Sequence, residues 1–141
     1  MFDKIARSFV LLCLAACSSP MPAGPEHWDI QVTDASQGLT SAGGDKLFAL
    51  KVASAPKSYD LADVIVDVGL PGQTATAVNF TLTDANGNGK LDQGDSLVCS
   101  EPPINLFDGT AVGKTLNVHI SEKAPGGTYY QRGSASWVPA K

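Results

Sequence analysis

The feature that most constrains the fold is an alternation of apolar and polar residues with a period of two, which recurs in five segments. Successive side chains of a strand point to opposite faces, so this alternation predicts strands with one buried and one solvated face. Weaker runs at 96–99, 104–107 and 128–137 bring the predicted total to roughly seven or eight strands. The alternating apolar positions are Trp28, Ile30 and Val32; Phe48, Leu50 and Val52; Ala62, Val64, Val66 and Val68; Val78, Phe80 and Leu82; and Leu116, Val118 and Ile120.

Turn residues separate these runs, and no amphipathic helical pattern follows residue 26. Gly-Gly, Pro-Gly and Asp-Gly pairs stand at 43–44, 71–72, 108–109 and 125–127. Several short strands in a chain of 141 residues predict a single all-β domain, an antiparallel β-sandwich, with the immunoglobulin-like arrangement as one candidate. The formal net charge of -4 argues against a nucleic-acid partner, because phosphate neutralisation needs clustered Lys and Arg.

The first sixteen residues have the three-part pattern of an export signal. Lys4 and Arg7 form a basic start, and the apolar run 8–16 (SFVLLCLAA) follows them. That run is too short to span a bilayer as a helix, which needs about 20 apolar residues. The pattern therefore predicts a signal peptide over residues 1–16 that is removed on export.

A cysteine at the end of this run makes the signal more specific. The quartet Leu14-Ala15-Ala16-Cys17 resembles the bacterial lipobox, at which lipoprotein precursors are cleaved and lipidated. The Cys17 thiol can carry a thioether-linked diacylglycerol, and two or more acyl chains give stable anchoring. An ordinary secretory signal with a chance cysteine is the alternative. The resemblance implies a chain anchored to the cell envelope, and Ser18 after the cysteine favours the outer membrane if the host is Gram-negative.

The segment after Cys17 predicts a tether. Residues 18–26 (SSPMPAGPE) are rich in Pro and Ser and offer little to bury, which favours a short, partly extended linker. The predicted organisation is a signal peptide over 1–16, the lipidated cysteine and tether over 17–26, and the β-sandwich domain over 27–141.

The strongest chemical signal is the segment 84–95 (DANGNGKLDQGD), which predicts a calcium site between two strands. Calcium takes six to eight oxygen ligands, and a twelve-position loop supplies them from alternate positions around a glycine at position 6. A turn-rich hairpin that binds nothing is the alternative, because Gly, Asn and Asp also favour turns. The predicted ligands are Asp84, Asn86, Asn88, Lys90 through its backbone carbonyl, Asp92, more often through water, and Asp95.

This segment resembles the calcium loops of EF-hands and, with Asp at its last position, those of dockerins. The resemblance covers the loop alone, since the flanking runs at 79–83 and 96–99 predict strands rather than paired helices. Helix opening and dockerin–cohesin pairing are therefore not implied. Asp95 is also one methylene shorter than the usual Glu, which weakens the expectation of bidentate ligation.

Catalytic signals are weak. His27 and His119 are predicted to be surface histidines, and the chain has no Gly-x-Ser-x-Gly, His-Glu-x-x-His or Cys/His zinc spacing. Asp60, Asp63 and Asp67 could supply an acid and a base for glycoside hydrolysis. Their spacing near one strand more often makes a solvated, charged edge.

Cys99 and the aromatic residues complete the candidates. Cys99 is predicted to be a small, buried apolar residue, and an intermolecular disulfide or a reactive thiol is the alternative. The aromatic residues at the two ends of the domain are predicted to pack in the core and at the edges. The alternative is an exposed platform for a sugar or a protein, with help from Arg132. The aromatic residues concerned are Trp28, Tyr129, Tyr130 and Trp137.

Together these features predict a lipid-anchored, calcium-stabilised structural or interaction module of the cell surface, and not an enzyme. Its predicted partners are the membrane and a protein or a glycan. A carbohydrate-binding module on the cell envelope is the alternative, and a secreted hydrolase is the weakest hypothesis.

Overall fold

A computed structural model describes residues 26–140, so the predicted signal peptide, Cys17 and most of the predicted tether lie outside the described residues. Two short 3-10 turns, Leu61–Asp63 and Gly109–Ala111, are the only helical segments in this part of the chain. The strands are β1 (Asp29–Asp34), β2 (Lys46–Ser54), β3 (Val64–Gly69), β4 (Thr76–Thr83), β5 (Ser96–Ser100), β6 (Leu116–Lys123) and β7 (Tyr129–Trp137).

The seven strands form one antiparallel series in the order β1-β2-β5-β4-β3-β6-β7. β4 belongs to two sheets, because its first residues, 76–78, pair with β3 and its last residues, 79–83, pair with β5. One sheet is β1-β2-β5-β4, and the other is β3-β6-β7 with the start of β4 beside β3. This is the strand order of an immunoglobulin constant-type sandwich. The predicted all-β antiparallel fold is confirmed.

The sandwich is nearly closed and barrel-like, because the outer strands β1 and β7 meet. The N–H of Trp28 donates to the carbonyl of Arg132 at 2.8 Å. Gly133 permits this approach, since a Cβ there would stand 2.8 Å from the Trp28 carbonyl oxygen. A side chain at this position would therefore push the two strands apart.

The predicted alternation accounts for most of the core. Phe48, Leu50 and Val52 of β2 are buried, and Lys51 between them is exposed. Leu47 is buried beside Phe48 because the pairing of β2 with β5 shifts register there, which turns both side chains inward. One predicted strand position, Ala62, lies instead in the 3-10 turn before β3.

The predicted strand at 104–107 is wrong. Pro102 and Pro103 come directly before it, and proline supplies no N–H to a sheet ladder. The N–H groups of Leu106 and Phe107 donate instead to Oε1 of the buried Glu101, at 3.0 Å and 2.6 Å. The Glu101 side chain therefore accepts the backbone hydrogen bonds that a neighbouring strand would accept in a sheet.

The register places the loops at two ends of the sandwich. One end, which we call the Glu26 end, carries the start of the described chain, residues 54–63, the segment 84–95 and the β6–β7 turn at 124–128. The opposite end carries residues 35–45, 70–75 and 101–115 and the last described residues, 138–140.

Candidate metal site

The segment 84–95 is the connection between β4 and β5 at the Glu26 end. Thr83 pairs with Ser96, so the loop begins and ends at neighbouring points of one sheet. Leu91 is fully buried, and its N–H and carbonyl exchange hydrogen bonds with Tyr59, both at 2.9 Å. The loop is therefore fastened to the core at its middle as well as at its two ends.

Asp95 closes the loop from inside the protein. Its side chain has no exposed surface. Oδ1 accepts a hydrogen bond from the N–H of Ala85 at 2.8 Å, and Oδ2 accepts one from the N–H of Asp92 at 2.9 Å. Its backbone carbonyl accepts from the N–H of Val52 at 2.9 Å. The carboxylate thus ties the start of the loop to its end, and the backbone carbonyl of the same residue ties the loop to β2.

Asp84 organises the first half of the loop. Its Oδ1 accepts hydrogen bonds from the N–H groups of Asn86 at 3.0 Å and Gly87 at 2.6 Å. Its Oδ2 accepts one from the N–H of Gly89 at 2.6 Å. These bonds, that of Gly89 first, lower the pKa of Asp84 below its ordinary value. Gly87 and Gly89 have φ of 77° and 74°, so both turns use the left-handed region that glycine enters without strain.

Asp92 accepts hydrogen bonds from two asparagines of the loop and from Ser58 outside it. The side-chain amides of Asn86 and Asn88 donate to its two oxygens at 2.9 Å and 2.8 Å. The hydroxyl of Ser58 donates to Oδ2 at 2.9 Å. The bonds from Asn88 and Ser58 are the main causes that lower the pKa of Asp92. The amide oxygens of Asn86 and Asn88 accept from the backbone N–H groups of Asn88 and Lys90 at 3.0 Å and 2.7 Å.

One predicted residue, Lys90, has a further contact outside the loop, and one residue in contact with the loop, Ser58, was not predicted. The side chain of Lys90 leaves the loop and forms an exposed ion pair with Asp60, with Nζ and Oδ1 3.2 Å apart. Ser58 did not stand out in the sequence, because it is 34 residues from Asp92. Only the bridge between Tyr59 and Leu91 brings it to the loop, and no local pattern signals that bridge.

The side chains of the loop offer oxygen atoms that suit a hard cation. In this structure, however, they form hydrogen bonds within the loop. Three carboxylates and two amides offer the oxygen atoms that calcium prefers. Among residues 26–140, however, no three His, Cys, Asp or Glu side chains come together as a group that could hold a metal ion. The amides of Asn86 and Asn88 would have to exchange their bonds to Asp92 for bonds to a cation. Asp95 is already engaged in closing the loop.

The histidines and aspartates that the sequence offered as weak catalytic candidates do not form one site with the loop. His119 Nδ1 is 2.9 Å from Oδ1 of Asp67, on neighbouring strands, and both side chains are about three-quarters buried. Asp60 instead faces Lys90. His27 is exposed.

The aromatic residues divide into a buried and an exposed pair. Trp28 and Trp137 are buried, as predicted for core packing, and Trp28 lies 4.2 Å from the ring of Tyr59. Tyr129 and Tyr130 are 45% and 50% exposed, and the Arg132 guanidinium lies 5.5 Å from the Tyr130 ring. The tryptophans therefore do not form an exposed platform.

Cys99 is buried and free, as predicted. Burial raises the pKa of its thiol to about 12. At neutral pH the thiol is protonated, which suits a packing role and not a nucleophile.

Comparison of the chain with protein-family models, with curated proteins and with solved structures found no match. Within the described part of the chain, no helix has the length and apolarity needed to cross a membrane.

Proposed function

We propose that the protein is a lipid-anchored module of the cell envelope, stabilised by calcium in the segment 84–95, with a structural or interaction role and no catalytic activity. The observation that carries this proposal is the collection of five oxygen-bearing side chains in one connection between two strands of a nearly closed β-domain. A cation held there would neutralise carboxylates and fasten the β4–β5 connection.

The anchoring part of the proposal follows from Cys17, which lies outside the described residues. Nine positions separate it from Glu26, and a chain of that length spans at most about 30 Å. The Glu26 end of the domain would then stand nearest the lipid.

Glu26 itself is tied to the domain by several polar contacts. Its Oε2 is 3.2 Å from the Lys57 ammonium, accepts from the Tyr59 hydroxyl at 3.0 Å and is 3.8 Å from Arg132. Burial alone would raise the pKa of Glu26, but the hydrogen bonds from Lys57 and Tyr59 outweigh it and lower the pKa. Glu26 therefore stays ionised at neutral pH, and a tether that ended there would be attached to the domain.

In the calcium part of the proposal, Asp84, Asn86, Asn88 and Asp92 hold the cation together with the backbone carbonyl of Lys90. Asp95 keeps the ends of the loop in place. A dissociation constant of about 0.1 mM is typical of weak extracellular modules. At about 1 mM free calcium, such a site adds roughly 1.4 kcal/mol to stability. That amount suits a clamp on a folded domain, whose stability is of the order of 5–15 kcal/mol.

Asp84→Ala is expected to abolish the calcium-dependent part of the stability. In the wild-type protein, excess chelator should lower the thermal midpoint by about 5–8 °C, since 1 kcal/mol corresponds to several degrees in a domain of this size. In Asp84→Ala, midpoints with calcium and with chelator should coincide. The measurement is thermal unfolding followed by circular dichroism in the two buffers.

Asp60→Ala is the matched control, because Asp60 is an exposed carboxylate beside the loop that pairs with Lys90 and is not a proposed ligand. It should keep the full calcium shift. A wild-type midpoint that chelator leaves unchanged would contradict the calcium proposal.

Cys17→Ala is expected to abolish lipidation, because the variant has no thiol at position 17 to carry the diacylglycerol. The wild-type protein, extracted from cells with detergent, should carry on Cys17 the added mass of a diacylglycerol thioether, read by intact mass spectrometry. The variant should lack that mass. Wild-type protein with an unmodified Cys17 would refute the anchor and leave the calcium proposal standing.

A further inference from the structure

A cleft of about 320 Å³ opens at the end of the sandwich opposite Glu26. Residues 68–76 of β3, the β3–β4 turn and the start of β4 form one wall, and residues 105–116 form the other. The volume lies at the lower limit of ligand pockets, which is about 300–1,000 Å³. A site of this size takes a small molecule or the terminal unit of a larger one.

The lining of the cleft is more polar than apolar, and most of its polar groups are uncharged. It includes one carboxylate, Asp108, and one ammonium, Lys114, whose charges offset each other. A hydrogen bond from Thr110 is the main cause that lowers the pKa of Asp108, so this carboxylate is an acceptor at neutral pH. The hydroxyl and amide side chains are Gln73, Thr74, Thr76, Asn105 and Thr110.

The uncharged polar lining favours some classes of ligand over others. Hydroxyl and amide groups can both donate and accept hydrogen bonds, which matches a ligand that carries many hydroxyl groups of its own. A strongly charged ligand would meet one opposing charge and one like charge. An apolar ligand would leave the polar lining without partners, at a cost for each group.

The cleft also offers an aromatic ring in a fixed orientation. Phe107 is partly buried, and its ring meets Trp137 edge to face, with centroids 5.9 Å apart and planes at 88°. Trp137 is in turn held by a hydrogen bond from Nε1 to Asp34 at 2.6 Å. Phe107 is one of the residues that line the cleft, and an aromatic residue there can pack against the C–H face of a sugar ring.

A buried carboxylate sets the conformation of the wall that carries Phe107. Glu101 is 2% exposed, and its Oε1 binds the N–H groups of Leu106 and Phe107. Its Oε2 is buried without a hydrogen-bond partner. Gly43 packs against the chain just before this wall, since a Cβ there would stand 2.6 Å from the backbone of Pro103. A wall held in this way loses little freedom when a ligand binds, which favours affinity.

We propose that this cleft binds a saccharide, either as a free sugar or as the terminal unit of a glycan. The proposal deepens the interaction role proposed above, and it rests on that function for its orientation, because a domain anchored near Glu26 presents the cleft away from the membrane. The cleft, and not the exposed tyrosines at the Glu26 end, is then the sugar site.

The test is saturation-transfer NMR on the full-length protein with glucose, galactose, mannose and N-acetylglucosamine at millimolar concentration. At least one sugar should show saturation transfer from the protein. The size of that transfer should reach a plateau as the sugar concentration is raised. Asn105→Ala and Thr110→Val should each weaken that binding by about tenfold, because each removes a hydrogen-bonding group. Tyr130→Ser, at the Glu26 end, should bind as the wild type does.

The outcomes separate the possible sources of the sugar. Binding of the free sugar supports a small-molecule ligand. Binding only when the same unit ends an oligosaccharide supports a glycan. Absence of transfer to any free or oligosaccharide-borne sugar in the panel, or binding that both cleft variants leave unchanged, would overturn the proposal. Circular dichroism of each variant verifies the fold, and chelator midpoints of the same samples keep the calcium question separate.

Discussion

Asp95→Ala is expected to lower the free energy of unfolding by about 3 kcal/mol, and by the same amount with calcium as with chelator. The substitution leaves the N–H groups of Ala85 and Asp92 without their acceptors. A hydrogen bond to a charged group contributes about 1.5–3 kcal/mol, and an abandoned buried donor keeps its desolvation penalty. Urea unfolding in the two buffers measures the effect, provided that the m-value stays constant.

This expectation separates Asp95 from Asp84, although both were predicted as ligands. Asp84 is partly exposed, and we expect its replacement to remove the response to calcium. Asp95 has no exposed surface, and we expect its replacement to weaken the loop with or without the ion. Asp95→Asn is the control of similar size, because its one amide oxygen can replace only one of the two acceptors, and an intermediate loss should follow. An Asp95→Ala loss that disappears in chelator would show that Asp95 acts mainly as a ligand.

The sequence was sufficient to predict the fold class because the sandwich has one solvated and one buried face along most strands. The alternation in β3, for example, buries Val64, Val66 and Val68 and leaves Ile65 and Asp67 partly exposed. It could not predict the paired burial of Leu47 and Phe48, since a register shift against β5 sets it. A period of two predicts which side chains of a strand are buried only where the pairing register with the neighbouring strand is constant.

The same limit explains the wrong strand at 104–107. Its apolar residues suggested a buried strand, but Glu101 supplies the acceptor for the backbone there. Nothing near Glu101 in the sequence distinguishes a buried carboxylate from a solvated one. Contacts of this kind depend on the tertiary fold, and they form the wall of the cleft that the sequence did not indicate.

The candidate loop shows what a local motif can and cannot convey. The runs at 79–83 and 96–99 correctly predicted that the segment 84–95 connects two strands. Its glycines provide the left-handed turns within that connection. The motif could not predict the bonds of Asn86, Asn88 and Ser58 to Asp92. Calcium binding therefore stays a prediction, and the exchange of these bonds is the step that a cation would have to drive.

Trp137→Ala is expected to cost about 3–5 kcal/mol, the largest loss of any substitution considered for this protein. Trp137 is 2% exposed, its ring lies 5.0 Å from that of Phe48, and its Nε1 donates to Asp34. Alanine would leave a cavity where two aromatic rings met, and Asp34 would lose a partner. Urea unfolding should show a lower midpoint with little change in m-value.

Two further variants decide how that loss is interpreted. Trp137→Phe keeps a ring but not the donor to Asp34, so it should lose less than Trp137→Ala does. Tyr130→Ala removes an aromatic ring that is half exposed, and it should change stability by no more than about 0.5 kcal/mol. A Trp137→Ala loss below about 1 kcal/mol would contradict the core packing. Because Trp137 supports the ring of Phe107, loss of sugar binding in a Trp137 variant would reflect a displaced cleft wall and not a missing stacking contact.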